Sequence, residues 1–159
     1  MTPRVGEKAP NISGTLSDGS QFNLESARGR PLVLFFYVKD FTVGCVMQVC
    51  GMRDATAAAG EAGAPRTIGI SRDSPESHAR FIKEKNLQFE LLSDPDNKAA
   101  AALGALWFGG VVNQPKRMTF VIDGEGVLRG IYHHELLLKK HAQNAALCVE
   151  ALQAGRACP

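Results

Sequence analysis

Residues 32–38 read Leu-Val-Leu-Phe-Phe-Tyr-Val, with no polar break. A strand with one face in water alternates apolar and polar side chains. A run without alternation marks a strand covered on both faces. Such a strand needs a layer of structure on each side, and the rest of the chain supplies candidates. Helical stretches are expected at about 43–59 and 75–86, with Ser74 capping the second and Pro75 at its first turn. Further strands are expected at 66–70 and 89–92, and a short helix at 96–106 that Gly109-Gly110 brings to an end. Strands at 118–122 and 127–132 flank Asp123-Gly124-Glu125-Gly126, a strong hairpin signal. A last helix, 136–154, carries Leu137, Leu138, Ala142, Ala145 and Cys148 near one face. The first thirty residues are rich in turn formers, with Asp18-Gly19 as a tight turn. The pattern predicts an α/β fold, a central mixed sheet with helices on both faces. Without a repeat or a linker, residues 1–159 read as a single domain.

Charge and cysteine content narrow the function. Lys+Arg number 18 and Asp+Glu 16, a net charge of +2, and the longest basic runs are pairs such as Lys116-Arg117 and Lys139-Lys140. That balance argues against nucleic acid as a partner, which calls for a basic stripe. No apolar run approaches the ~18 residues of a membrane span; the longest, 99–112, is mostly Ala and Gly. The opening MTPRVGEKAPNIS holds no apolar core of signal-peptide length. Cysteines stand at 45, 50, 148 and 158, too sparse for a disulfide-stapled secreted scaffold. The expectation is a cytoplasmic protein, where a cysteine pair is more often reactive or metal-binding than structural.

The chemistry concentrates in Tyr37-Val38-Lys39-Asp40-Phe41-Thr42-Val43-Gly44-Cys45, running into Val46-Met47-Gln48-Val49-Cys50. A buried strand ends there and a helix begins, the place where sites collect in open α/β sheets. With Thr42 as N-cap, Cys45 is the third helical residue. A thiol in a first turn faces unpaired N–H groups and the positive end of the helix dipole, both of which favour thiolate. The same position also suits a small cysteine packed in the core. Cys50 lies five residues on, about 7.5 Å of helical rise and ~140° off the face of Cys45. Cα atoms more than ~7 Å apart are not bridged without backbone movement, so a Cys45–Cys50 disulfide requires the helix to unwind. Gly51 weakens it there by ~1 kcal/mol relative to Ala. Cys50 equally fits the core beside Val46 and Val49. A metal reading is weaker: the plant-type iron–sulfur spacing places its third ligand at 53, which is Arg.

FFYVKDFTVGCVMQVCGMRD resembles the active-site segment of the peroxiredoxins, specifically the Q type or bacterioferritin-comigratory-protein class. Gly6-Glu7-Lys8-Ala9-Pro10, Ile68-Gly69-Ile70-Ser71-Arg72-Asp73, Leu91-Leu92-Ser93-Asp94 and Arg117-Met118-Thr119-Phe120-Val121-Ile122-Asp123 follow in that family's order and spacing. The resemblance covers roughly 5–130 and implies a thioredoxin-like fold. It implies a thiol peroxidase acting on hydrogen peroxide or alkyl hydroperoxides, without cofactor or metal, recycled by a thioredoxin-like reductant and acting as a monomer. Cys45 takes the place of the peroxidatic cysteine, which becomes a sulfenic acid. Thr42 takes that of the hydroxyl bonded to peroxide, and Arg117 that of the guanidinium polarising it. Cys50 matches the resolving cysteine, which closes a disulfide with Cys45. Gln48 stands where the family often has Glu. Val38 and Val43 replace the two prolines of the family motif, and Val46 a frequent Thr. Proline fixes φ, so the valines leave this loop freer.

Other features read as structural. His133-His134-Glu135 lacks the second His at 138 that a zinc-protease motif needs, and suits a polar turn. Residues 106–112, apolar and glycine-rich, suit a packed loop beside the site or, less simply, an exposed patch. Cys148 is expected in the core and Cys158 in a tail, unpaired. Two other functions stay open: general thiol–disulfide exchange, disfavoured because such enzymes use C-x-x-C, and a catalytically impaired binding or holdase module on the same fold.

Overall fold

The computed structural model describes residues 3–58, 65–110, 112–136 and 139–159. Its seven strands are β1 (Ser13–Leu16), β2 (Gln21–Asn23), β3 (Leu32–Phe36), β4 (Arg66–Ser71), β5 (Glu90–Ser93), β6 (Met118–Ile122) and β7 (Leu128–His133). They form one sheet in the order β2-β1-β5-β4-β3-β6-β7. Strands β3, β4 and β5 run parallel, while β1, β2, β6 and β7 join antiparallel, so the sheet is mixed. The helices are α1 (Val43–Ala58), α2 (Pro75–Lys85), α3 (Lys98–Ala102) and α4 (Lys139–Gln153).

The apolar run at 32–38 does what its lack of alternation demands. Leu32, Leu34 and Phe36 point into one core with Ile68, Ile70, Phe120 and the α3 residues Ala99 and Ala100. Val33, Phe35 and Tyr37 point into the other, with Val49 and Met52 of α1, Phe81 of α2 and Cys148 of α4. Strand β3, interior to the sheet, is thus covered by helices on both faces, and its C-terminal end opens directly into the segment that carries Cys45 and Cys50.

Most boundaries agree with the sequence to within a residue or two, and Ser74 caps α2 by accepting the Ser77 N–H. Two elements differ more. The helix expected over 96–106 stops at Ala102, because Gly104 turns the chain with φ of 73° and Leu106 then bridges to Pro115. The last helix starts at Lys139; Leu137 and Leu138, expected on its apolar face, lie outside the described residues, as do the expected end of α1 at 59 and Val111.

Cys148 lies in the core as expected, but the expectation that it and Cys158 are unpaired is corrected. They form a disulfide, with Cα atoms 4.5 Å apart. After α4, Gly155 adopts φ of 72°, its N–H bonding to Leu152 while that of Arg156 reaches back to Ala151. This is a Schellman reversal, which turns the chain at a glycine just past a helix end. The tail therefore folds back along α4, and the Tyr132 hydroxyl fastens its end by donating to the Pro159 carbonyl (3.1 Å).

Candidate active site

The site grows from the junction between β3 and α1. Phe36 ends the strand, and Tyr37 adds one more bond to the ladder, its N–H donating to Ile70. The chain crosses Val38 to Thr42 and enters α1 at Val43. Thr42 marks the helix start: its carbonyl accepts the Val46 N–H at 2.8 Å. Its hydroxyl donates backward, to the Lys39 carbonyl at 2.9 Å, bracing the loop. Phe41 has φ of 65°, a left-handed conformation that is uncommon for a residue of this size.

Cys45 and Cys50 are thiols on one unbroken helix. Cys45 is 0% exposed, packed with Val49, Met52 and Tyr37. It therefore occupies the core-like position and the first-turn position together, with its thiol closed off from solvent in this conformation. Cys50 is partly exposed on a groove of about 510 Å³ between α1 and α4, lined also by Met47, Gly51, Ala142 and Ala146. The two thiols thus look toward different surroundings, as their spacing requires.

Arg117 enters from the other side. Strands β3 and β6 pair Phe35 with Thr119; two residues further, that register sets Arg117 opposite Tyr37, at the strand end from which α1 departs. Its guanidinium donates to Gln48 Oε1 at 2.8 Å, and the Gln48 amide donates to the Phe36 carbonyl at 3.1 Å. Gln48 is 1% exposed and lies one turn beyond Cys45 on α1. It ties strand end, helix and arginine into one unit. The Arg117 backbone N–H donates to Glu135 Oε2 (2.8 Å), which also lies 2.6 Å from His133 Nε2. The polar turn at 133–135 therefore anchors the arginine, a role the sequence reading missed. Gln48 offered two signals, its i+3 spacing from Cys45 and its place where the resembled family often has Glu; Glu135 offered none, since its contact is made across 18 residues of chain.

Around the site, Trp107 stacks edge-on against His133, with Lys116 over its ring, while Phe108 is 78% exposed. The 107–110 segment thus combines packing beside the site with one exposed aromatic. Val38 is half-buried against the α1 core, whereas Val43 is 80% exposed. Asp40, Asp73 and His78 bring carboxylate and ring nitrogen atoms within 4.8 Å of one another. Those groups are already engaged with Tyr37, Ser77, Ser71 and the Asp40 backbone, so they form a hydrogen-bond network.

The model of the AhpC/TSA family matches residues 5–131. The chain is 34% identical over 158 residues to peroxiredoxin Bcp of Escherichia coli strain K12, covering 89% of this chain and 100% of the relative. It is 36% identical over 149 residues to the chloroplastic peroxiredoxin Q of Populus jackii, covering 92% and 68%. Among solved structures, peroxidoxin BcpB of Mycobacterium tuberculosis superposes with a TM-score of 0.82 at 28% identity, covering 93% of this chain and 97% of that one. The bacterioferritin comigratory protein of Xanthomonas campestris, described for its alkyl peroxide reduction, gives a TM-score of 0.79 at 27% identity, covering 89% and 91%.

Proposed function

Since the chain belongs to the AhpC/TSA family and is a peroxiredoxin with the thioredoxin-like fold, and hence a thiol peroxidase, we propose that Cys45 is the sulfur that attacks the peroxide. The observation that carries this reading is the unit built around α1: Cys45 in the first turn, with Gln48 one turn on holding Arg117 at the strand end. The Cys45 thiolate attacks the terminal oxygen of the peroxide, the O–O bond breaks, and the leaving alkoxide or hydroxide takes a proton. The products are a sulfenic acid and an alcohol or water. Arg117 stabilises the charge that develops on the oxygens, and the Thr42 hydroxyl, once turned from Lys39, donates to or accepts from the peroxide.

Cys50 then attacks the sulfenic sulfur. Water leaves, and a Cys45–Cys50 disulfide closes. Because both residues lie on one helix, that step requires residues 43–50 to unwind. A thioredoxin-like dithiol reduces the disulfide and restores the helix. The alkyl peroxide chemistry of the Xanthomonas relative supports organic hydroperoxides as substrates beside hydrogen peroxide, and the reading takes the enzyme as a cytoplasmic monomer.

The test is peroxide consumption coupled to a thioredoxin system. Cys45→Ser is expected to abolish it, and unchanged consumption would refute the assignment. A folded protein whose Cys45 stays unmodified under excess peroxide would instead support the binding-module reading.

A further inference from the structure

Residues 37–42 contain no proline to stiffen them, yet Phe41 is held at φ of 65°. A conformation of that kind persists only where the surroundings over-determine it. Asp40, 3% exposed, accepts the Tyr37 hydroxyl at 2.6 Å and the Ser77 hydroxyl at 2.8 Å. Its backbone N–H donates to Asp73 Oδ2 at 2.9 Å. Asp73 also accepts the Ser71 hydroxyl (2.7 Å), and the Ser71 oxygen lies 2.7 Å from His78 Nε2. Beside this network the Phe41 ring packs on Phe81, centroids 5.0 Å apart. The loop is thus fastened to the end of β4 and to α2, neither of which supplies a reacting group.

We propose that Asp40 is a positioning residue of the peroxidase: through its bonds to Tyr37, Ser77 and Asp73 it holds the loop that presents Thr42 and starts the helix turn of Cys45. The inference rests on the assignment of Cys45 above. Asp40 stands two residues before Thr42 and three before α1, so a shift of its carboxylate is passed directly to both.

The holding form is the carboxylate, because only the ionised group accepts from both hydroxyls with each oxygen free of a proton. Burial is the main influence on Asp40 and pushes it up to about 6; the bonds from Tyr37 and Ser77 oppose this, the Asp73 charge adds to it, and the Arg80 guanidinium of α2 opposes it. His78 Nε2 lies 3.8 Å from Asp40 Oδ1, but burial pushes His78 down to about 4, so the ring is neutral wherever Asp40 is charged and no ion pair forms. Tyr37 is pushed well above its ordinary value, first by burial and then by Asp40, and stays a donor. The grip on the loop is therefore complete above pH about 6 and weakens below it.

The experiment is the pH profile of kcat/KM for hydrogen peroxide, from pH 5 to 8.5, in wild type, Asp40→Asn, Asp40→Ala and Tyr37→Phe. Wild type is expected to show an acid inflection near 6. Asp40→Ala should fall about tenfold at every pH. Asp40→Asn, which keeps one acceptor and gains a donor, should recover to within about threefold of wild type at pH 7.5 and lose the inflection. Tyr37→Phe, lacking one bond to the carboxylate, should move the inflection upward. Thermal unfolding supplies a second readout. A carboxyl whose pKa is raised on folding stabilises below its unfolded value and loses that stability as pH rises through about 6. Asp40→Asn should therefore flatten the decline in melting temperature between about pH 4 and 6. An Asp40→Asn profile that keeps the wild-type inflection overturns the proposal. With Cys45→Ser run in parallel, an active Cys45→Ser overturns the site assignment, whereas an inactive one beside wild-type Asp40 profiles overturns this inference alone.

Discussion

The two cysteine pairs differ in what the backbone does between them. Cys45 and Cys50 are five residues apart on one helix, and both remain thiols. Cys148 and Cys158 are ten residues apart in sequence, yet their Cα atoms stand 4.5 Å apart and they are bridged. The longer separation closes because Gly155 ends the helix and reverses the chain between them. The shorter one stays open because a continuous helix keeps its residues at fixed rise and angle. Proximity in sequence is thus a poor guide to pairing, and the conformation between the cysteines decides it. In the proposed cycle the open pair gains a use from being held apart: it would close only after one sulfur has been oxidised and the helix has given way.

The largest effect expected separates the pairs by function. Cys45→Ser should remove peroxide turnover altogether, while Cys158→Ser leaves it within about twofold of wild type; a coupled peroxidase assay reads both. Cys50→Ser should permit one rapid turnover and then stall as the sulfenic acid, which mass spectrometry detects as one added oxygen on Cys45. Continued over-oxidation to the sulfinic acid is its expected fate under excess peroxide.

The next effect separates them by stability. Losing the Cys148–Cys158 link should cost about 2–3 kcal/mol, the order expected from freeing a loop of this length in the unfolded chain. Denaturant unfolding of Cys158→Ser without reductant reads it. The same substitution should have no further effect on a wild type already treated with dithiothreitol. The smallest effect bears on the helix between the reactive pair. A Cβ at Gly51 meets nothing within 4 Å, so Gly51→Ala should stabilise α1 by up to about 1 kcal/mol. By the same margin, about fivefold, it should slow closure of the Cys45–Cys50 disulfide after oxidation, which stopped-flow fluorescence or rapid-quench alkylation measures. An unchanged rate would mean that unwinding does not limit closure.

The sequence was most legible where physics is local. The unalternating run at 32–38 announces a two-sided strand, Ser74-Pro75 a helix start, and Asp123 to Gly126 a turn, and each is present. Position along one strand-to-helix junction singles out Cys45 as a thiol that is either reactive or core-packed; the roles expected of Thr42 and Cys50 rest on the resemblance to the peroxiredoxins. What the sequence hid is long-range. The anchoring of Arg117 by Gln48 and Glu135 spans 69 and 18 residues, and the link between Asp40 and Ser77 spans 37. The tail disulfide was missed for a different reason. Gly155 after an apolar helix face is a readable reversal signal, but its consequence for Cys158 depends on where the tail lands. The two valines at the motif's proline positions illustrate the same division. Val38 packs inward and Val43 faces solvent, while the loop between them is held by Asp40 and Phe41, whose partners lie in other elements.

The central claim is that catalysis joins two thiols which the helix holds apart. Amide hydrogen exchange followed by peptide mapping tests it directly, on protein before and after one equivalent of hydrogen peroxide. The prediction is a Cys45–Cys50 disulfide in stoichiometric yield, together with loss of exchange protection across residues 43–51 and retained protection in α4 and β3. A disulfide joining either thiol to another partner, or a Cys45–Cys50 disulfide with α1 protection unchanged, would contradict it.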